Sequence, residues 1–345
     1  MSEEALPIPS PRETADLVGQ SEAEARLLAA SQSGRLPHAW LISGPAGIGK
    51  ATLAYRMARF LLAGEQGGDL FGGPPSDLTV APDHPAARRI AAGAHPDLMS
   101  VERGYDEKRK RFRNEIVVED VRAVNGFLRM TPAEGGWRIV VIDSADELNR
   151  NAANALLKIL EEPPSAALLL LISHAPGRLL ATIRSRCCQL PLRPLQETQV
   201  EAMLARLAPD LTAAQCATLA GLAEGSIGRA LALQAAGGLA LHEQVMALVG
   251  GLPRLDVPAL HGFADKVSRG SDPQTFRMVG EMLRGWLAER IRARALAGAE
   301  ERRRLADWLA LWEKTNGLFA RAESANLDRK QVVITAFLDL QALAS

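Results

Sequence analysis

The sequence predicts an α/β domain with a doubly wound parallel sheet, followed by an all-helical remainder. Three observations carry this. Short, nearly continuous apolar runs alternate with helical patterns over the first 195 residues, as in strands covered on both faces. A glycine-rich turn joins one such run directly to a helix. Beyond "PLRPL" (191–195) the strand signal stops and only helical spacing remains.

A chain of 345 residues has room for two or three domains. Boundaries are expected near 195 and 238, giving 1–195 for the α/β domain, 196–238 for a small helical domain and 239–345 for a C-terminal helical one. Hydrophobic residues make up 47% of the chain, which excludes a disordered polymer. Forty basic and forty acidic side chains cancel, so no net field draws it to nucleic acid and any partner is recognised by a patch. Of the three cysteines, Cys187 and Cys188 are sequence neighbours, which is poor geometry for a structural bridge, and Cys216 is left over. A reducing cytoplasm is the expected compartment. The acidic opening "MSEEALPIPSPRE" lacks the apolar core of a signal peptide. The longest apolar stretch, 166–172, is far too short to span a membrane.

Each element follows from its pattern. "AWLIS" (39–43) reads as a buried strand. Leu53, Met57, Phe60 and Leu61 then fall on one face of a helix that Gly64 closes. Residues 65–85, rich in Gly and Pro, read as an irregular loop. "DLMSV" (97–101), "RIVVID" (138–143), "ALLLLIS" (167–173) and "CQLPL" (188–192) supply four more strands. From Val200 to Leu233 short helices are broken at Pro209 and Gly225, and long helices follow from Leu241. In one of these, Asp272 and Pro273 suit N-cap and first-turn positions, with Phe276, Val279, Leu283, Trp286 and Leu287 on one face. Trp308 and Trp312 share a face of another.

"SGPAGIGKATL" (43–53) departs by one residue from the phosphate-binding pattern G-x-x-x-x-G-K-[ST]. Gly44, Gly49 and Lys50 fit, with Gly47 between them. Backbone N–H groups at the helix start would cradle phosphates and Lys50 would neutralise the terminal one. Ala51, however, stands where a hydroxyl binds Mg²⁺. Thr52 lies ~100° further round the helix and is a poor substitute. A later strand end, "VVIDSADEL", places Asp143 to reach such a metal. Ser144 follows it and is a poor general base. Asp146 and Glu147 read as an acidic cap on the next helix. "LLATIRSRC" (179–187) puts Arg184 and Arg186 between a helix and the last strand. An arginine there is either one of a solvated charge pair or a group that projects towards phosphates held by another chain.

Taken in order, "DLVGQSEAEARLLAASQSGRLPHAWLISGPAGIGK" (16–50), "TPAEGGWRIVVIDSADELN" (131–149) and "NAANALLKILEEPPSAALLLLISHAPGRLLATIRSRC" (151–187) resemble the AAA+ clamp-loader family over most of residues 10–195. The resemblance implies an AAA+ P-loop domain, a small helical lid domain and a C-terminal helical collar that holds a hetero-pentamer. The implied partners are the motor subunits called tau or gamma, a delta subunit, the sliding clamp and primer-template DNA. Ala51 and Ser144 set this chain apart from the motors. It is expected to be a stator, part of a DNA-synthesising holoenzyme, that hydrolyses nothing itself. Arg186, the arginine of the "SRC" triplet, would act in trans on a neighbour's ATP. Motor subunits read Gly-Ser-x-Arg in their second domain, whereas "EGSIGRAL" (224–231) has Gly228 there and Arg229 one residue later. Gly44, Gly47, Gly49, Lys50 and Thr52, with Asp143 as a vestigial acid, are thus expected to bind ATP or ADP weakly or not at all, with no cofactor required.

Related ATPase domains carry a four-cysteine zinc module where residues 65–98 of this chain have no cysteine. His84 and His95, with Asp83 and Asp97, have irregular spacing, so neither zinc nor another metal is expected. "DEKRKRFRNE" (106–115) sets the basic run Lys108–Arg113 around Phe112, as a solvated hairpin or a phosphate contact. Two other functions fit the residues. One is an ATPase using Lys50 and Asp143, with Thr52 replacing the lost metal ligand. The other is a module that only docks on the clamp.

Overall fold

The five apolar runs become the five strands of one parallel sheet. The computed structural model describes residues 10–64, 75–106, 110–134, 136–269, 273–297, 304–325 and 327–344. Strands β1 (Ala39–Ser43), β2 (Leu98–Val101), β5 (Arg138–Ile142), β6 (Ala167–Ser173) and β7 (Cys188–Pro191) lie in the order β2-β5-β6-β1-β7. All four ladders are parallel. Two-residue strands β3 (Tyr105–Asp106) and β4 (Arg111–Phe112) form a separate antiparallel hairpin. The AAA+ P-loop fold implied by the resemblance is the fold found.

Every residue of β1, β5 and β6 is buried, because helices cover both sheet faces. The pleat sorts their side chains. Leu41, Val140, Leu169 and Leu171 join a core with Val121 and Val124 of α4 (Val118–Leu128) and Leu156 of α5 (Arg150–Glu161). Ile42, Val141, Leu168 and Leu170 point the other way, to Leu27 of α1 (Ser21–Gln32) and Leu53 and Met57 of α2 (Lys50–Ala63). Gly64 closes α2, as expected, with a positive φ (71°) that favours glycine. A further short helix, α3 (Pro85–Ala91), starts where the irregular segment was expected to end, and residues 65–74 of that segment lie outside the described residues. Short α6 (Ala181–Arg184) leads into β7.

The helical remainder is as its spacing predicts. It comprises α7 (Glu197–Leu207), α8 (Ala213–Ala223), α9 (Ile227–Ala235), α10 (Gly238–Gly250), α11 (Val257–Arg269), α12 (Pro273–Leu296), α13 (Leu305–Ala325) and α14 (Arg329–Ala344). Phe276, Val279, Leu283 and Leu287 of α12 are buried, while Trp286 is half-buried under Arg290, its ring tilted 52° against that of Trp308 of α13 at 6.2 Å. Asp272, the expected cap of α12, lies outside the described residues. The chain divides into two compact units. One is Met1–Ala208 with Glu224–Arg229, and the other is Pro209–Ala223 with Ala230–Ser345. No helix among the described residues is long and apolar enough to cross a membrane.

Candidate nucleotide site and exposed arginine

The phosphate loop occupies the turn between the C-terminal end of β1 and the start of α2. Its first glycine is tied to the neighbouring strand, since Gly44 N–H donates to Ser173 O at 3.2 Å. Lys50 opens α2 and is almost entirely buried. Its ammonium donates to Gly44 O at 2.7 Å and also to Pro45 O, so the loop's own carbonyls hold it. Burial pulls its pKa down to about 8, against the opposing pull of Asp143 and Asp146. Ala51, at the hydroxyl position, packs against the sheet core. Thr52 is half-buried and has no hydrogen-bond partner among the described residues.

At the end of β5, Asp143 is half-buried and donates its N–H to Val101 O. Ser144 then turns the chain through a left-handed conformation (φ 63°). Its hydroxyl lies 3.3 Å from Nε2 of His174, the residue that follows β6. Burial, then Lys50, lowers the His174 pKa, so the ring is neutral at pH 7. The structure thus gathers Lys50, Asp143, Ser144, Asp146 and His174 at the C-terminal edge of the sheet. His174 escaped the sequence reading, although a polar residue directly after a buried parallel strand is placed for ligand contact in this fold class.

Asp146 and Glu147 do not cap the next helix as expected. They lie in a short 3₁₀ turn. Asn149 caps α5, accepting from Ala152 N–H at 2.9 Å. Asp146 instead accepts from His174 N–H at 2.8 Å, and Glu147 pairs with Arg103 at 2.9 Å. A side chain needs a free turn of N–H groups within reach to serve as a cap, and the 3₁₀ turn ends before α5 begins.

Within the same compact unit, residues 224–229 close on the phosphate loop. Gly228 N–H donates to Gly47 O at 3.0 Å, and the Ser226 hydroxyl donates to Ala46 O at 2.9 Å. Gly47 (φ 72°) needs its glycine twice over, since a Cβ there would lie 2.4 Å from Ser226 Oγ. A Cβ on Gly228 would stand 2.9 Å from Gly47 Cα, so this position admits no side chain without displacing the loop. Arg229 turns back to Glu224, with its Nη1 3.0 Å from Oε2.

The other named side chains have their own partners. His84 caps α3 through Nδ1, and buried His95 accepts from Asp97 N–H. Asp97 accepts from Ala133 and Glu134 N–H and pairs with Arg138. Asp83 is exposed. No cluster of three or more metal-ligating side chains occurs among the described residues. Burial raises the Cys187 thiol pKa to about 12.

Arg186 lies elsewhere. β7 runs parallel to β1, with Cys188 opposite Trp40 and Pro191 opposite Ser43. The phosphate loop leaves β1 after Ser43, whereas Arg186 precedes Cys188 at the far end. At ~3.3 Å per residue the strand alone separates them by about 10 Å. Arg186 is exposed, its Nη2 2.8 Å from Glu161 Oε1 and its Nη1 donating to Thr182 O at 3.1 Å. Arg184 is half-buried and bonds Pro176 O.

The Lys50 geometry carries a testable consequence. Its folded pKa lies below that of the unfolded chain, so between about pH 8 and 10.5 the unfolded state holds more protons and rising pH favours the fold. Urea midpoints of the wild type should therefore rise relative to Lys50→Met across that window. A constant difference from pH 7 to 10 would refute the buried ammonium.

A family model described as DNA polymerase III, delta subunit, matches residues 19–196, just over half of the chain. The chain is 40% identical over 220 residues to DNA polymerase III subunit delta' of Pseudomonas aeruginosa, covering 63% of this chain and 61% of that one. To the same subunit of Escherichia coli K12 it is 36% identical over 210 residues, covering 60% and 58%. The matched region thus spans about three-fifths of the length of these relatives. DNA polymerase III subunit tau of E. coli is 32% identical over 231 residues, covering 65% of this chain and 32% of that one. With the family model matched over half of its length and delta' sequences among its relatives, the chain belongs to the DNA polymerase III delta subunit family, as a member of the delta prime type.

Proposed function

We propose that this subunit is a non-hydrolysing stator of the clamp loader, which helps place the sliding clamp on primed DNA in the cytoplasm. It stands in a hetero-pentamer with tau or gamma motors and a delta subunit. Arg186 completes the ATP site of the adjoining motor. It requires no nucleotide or metal of its own.

The observation that supports this most is the opposite placement of the two functional features. The phosphate loop is engaged by the chain's own Ser226 and Gly228, and its lysine by the loop's own carbonyls. Arg186 is displayed at the far edge of the sheet, beyond reach of that loop and accessible to another chain. A guanidinium there stabilises charge on a transferring phosphoryl group, and its planar fork matches the phosphate oxygens.

Purified alone, the chain should show no ATP turnover above a Lys50→Ala control. Turnover that Lys50→Ala abolishes would instead establish an ATPase in which Thr52 and Asp143 hold the metal, and the stator reading would fall.

A further inference from the structure

The hairpin of β3 and β4 is unlike the rest of the molecule's surface. Among the described aromatic residues, only Tyr105 and Phe112 are exposed, 51% and 63% respectively. They are cross-strand partners, directly opposite in register. Their rings meet edge to face, with centroids 5.4 Å apart and planes at 80°. In that arrangement the two rings spend little of their area on each other, so flat apolar surface stays in water. The cross-strand pair helps to hold the short hairpin together, yet leaves more than half of each residue's surface in water, available to a ligand.

Charge indicates what that is. The sequence around Phe112 is "KRKRFR", five basic residues in six, in a chain with no net charge. Lys110 and Arg113 are exposed, and neither has a carboxylate partner among the described residues. Arg113 folds beside Gly104 at the foot of β3, where its N–H donates to Gly104 O at 2.8 Å. Two carboxylates close by in the fold are already taken, Glu102 by Arg12 and Glu147 by Arg103. Two exposed rings within a basic run offer stacking surface beside phosphate-binding cations.

We infer that this hairpin binds single-stranded DNA, with unpaired bases on Tyr105 and Phe112 and phosphates on Lys110 and Arg113. Duplex bases are stacked on one another and offer no face to the rings, so the single strand is the form that fits. The inference deepens the proposed function and rests on it for the source of the DNA. The test reads binding by the chain itself and no ATPase, so either idea can fail without the other.

Fluorescence anisotropy with a labelled oligothymidylate, over a range of salt, gives the answer, with inorganic polyphosphate as a polyanion that has no bases. Tyr105→Ala/Phe112→Ala should weaken oligothymidylate binding roughly tenfold or more while leaving polyphosphate binding unchanged. Arg113→Glu should weaken both and make the salt dependence shallower. Phe112→Leu, which keeps the apolar volume, should still lose affinity, and a circular dichroism melt of each variant checks the fold. If the wild type does not bind oligothymidylate, or if the double variant binds it as tightly, the inference is overturned. Equal loss on both probes would leave charge alone at work and would overturn it too.

Discussion

Replacing Arg186 with alanine is expected to slow ATP hydrolysis at the adjoining motor site by roughly 10³–10⁵-fold, or about 4–7 kcal/mol of barrier. The expected effect is large because the charge that develops on the transferring phosphoryl group is met in a site from which water is largely excluded. Stability should barely move. Arg186 is exposed, and its ion pair with Glu161 is of a surface kind that contributes little. Arg186→Lys should restore only a small part of the rate, because an ammonium cannot reproduce the two parallel N–H groups. The measurement is ATPase of the reconstituted pentamer with clamp and primed DNA, the other motor sites having been disabled. Undiminished hydrolysis with Arg186→Ala would remove the trans role and leave the arginine as half of a solvated pair.

The largest effect on folding is expected at Asp97, which is almost completely buried. One carboxylate accepts from Ala133 N–H at 2.9 Å and Glu134 N–H at 3.2 Å, and lies 3.4 Å from the Arg138 guanidinium. Arg138 is buried as well, donating to Thr131 O at 2.7 Å and lying over the Phe127 ring at 4.6 Å. These contacts hold the 131–134 turn against the first residue of β5. Asp97→Ala strands a buried guanidinium and two loop N–H groups, and should cost about 3–5 kcal/mol. That is a large share of a total stability on the order of 5–15 kcal/mol. Asp97→Ala combined with Arg138→Met should cost clearly less than the two changes summed, since neither charge is then left alone. Urea unfolding of the four proteins measures this, and strict additivity would show that the pair is not coupled.

Much of the α/β domain was legible in the residues. Buried parallel strands must be apolar on both faces, so 39–43 and 167–173 announced themselves, and the structure places strands at those positions. The helix of Leu53 and Met57 was equally plain, because one buried face imposes helical spacing. Two-residue strands are too short to show any period, so β3 and β4 were legible only as a solvated hairpin or a phosphate contact around a basic run, and the structure has the hairpin. The cap on α5 is Asn149 rather than Asp146 or Glu147, because polar residues near a helix start look alike in sequence. Which one reaches the free N–H groups depends on where the 3₁₀ turn ends.

What the sequence alone determined is chemical: which groups each position carries. Ala51 has no hydroxyl, Ser144 no carboxylate and Gly228 no guanidinium, and no tertiary contact can restore an atom that was never encoded. Placement was left to the fold. Gly47 and Ser226 lie far apart along the chain, yet the structure seats one against the other. Arg186 and Lys50 belong to motifs of one domain, yet parallel pairing of β1 with β7 sets them at opposite ends of the sheet. Local pattern reports which face a side chain prefers. Which distant backbone it meets is decided only when the strands pair and the core closes, because that closure outweighs the entropy of bringing remote segments together.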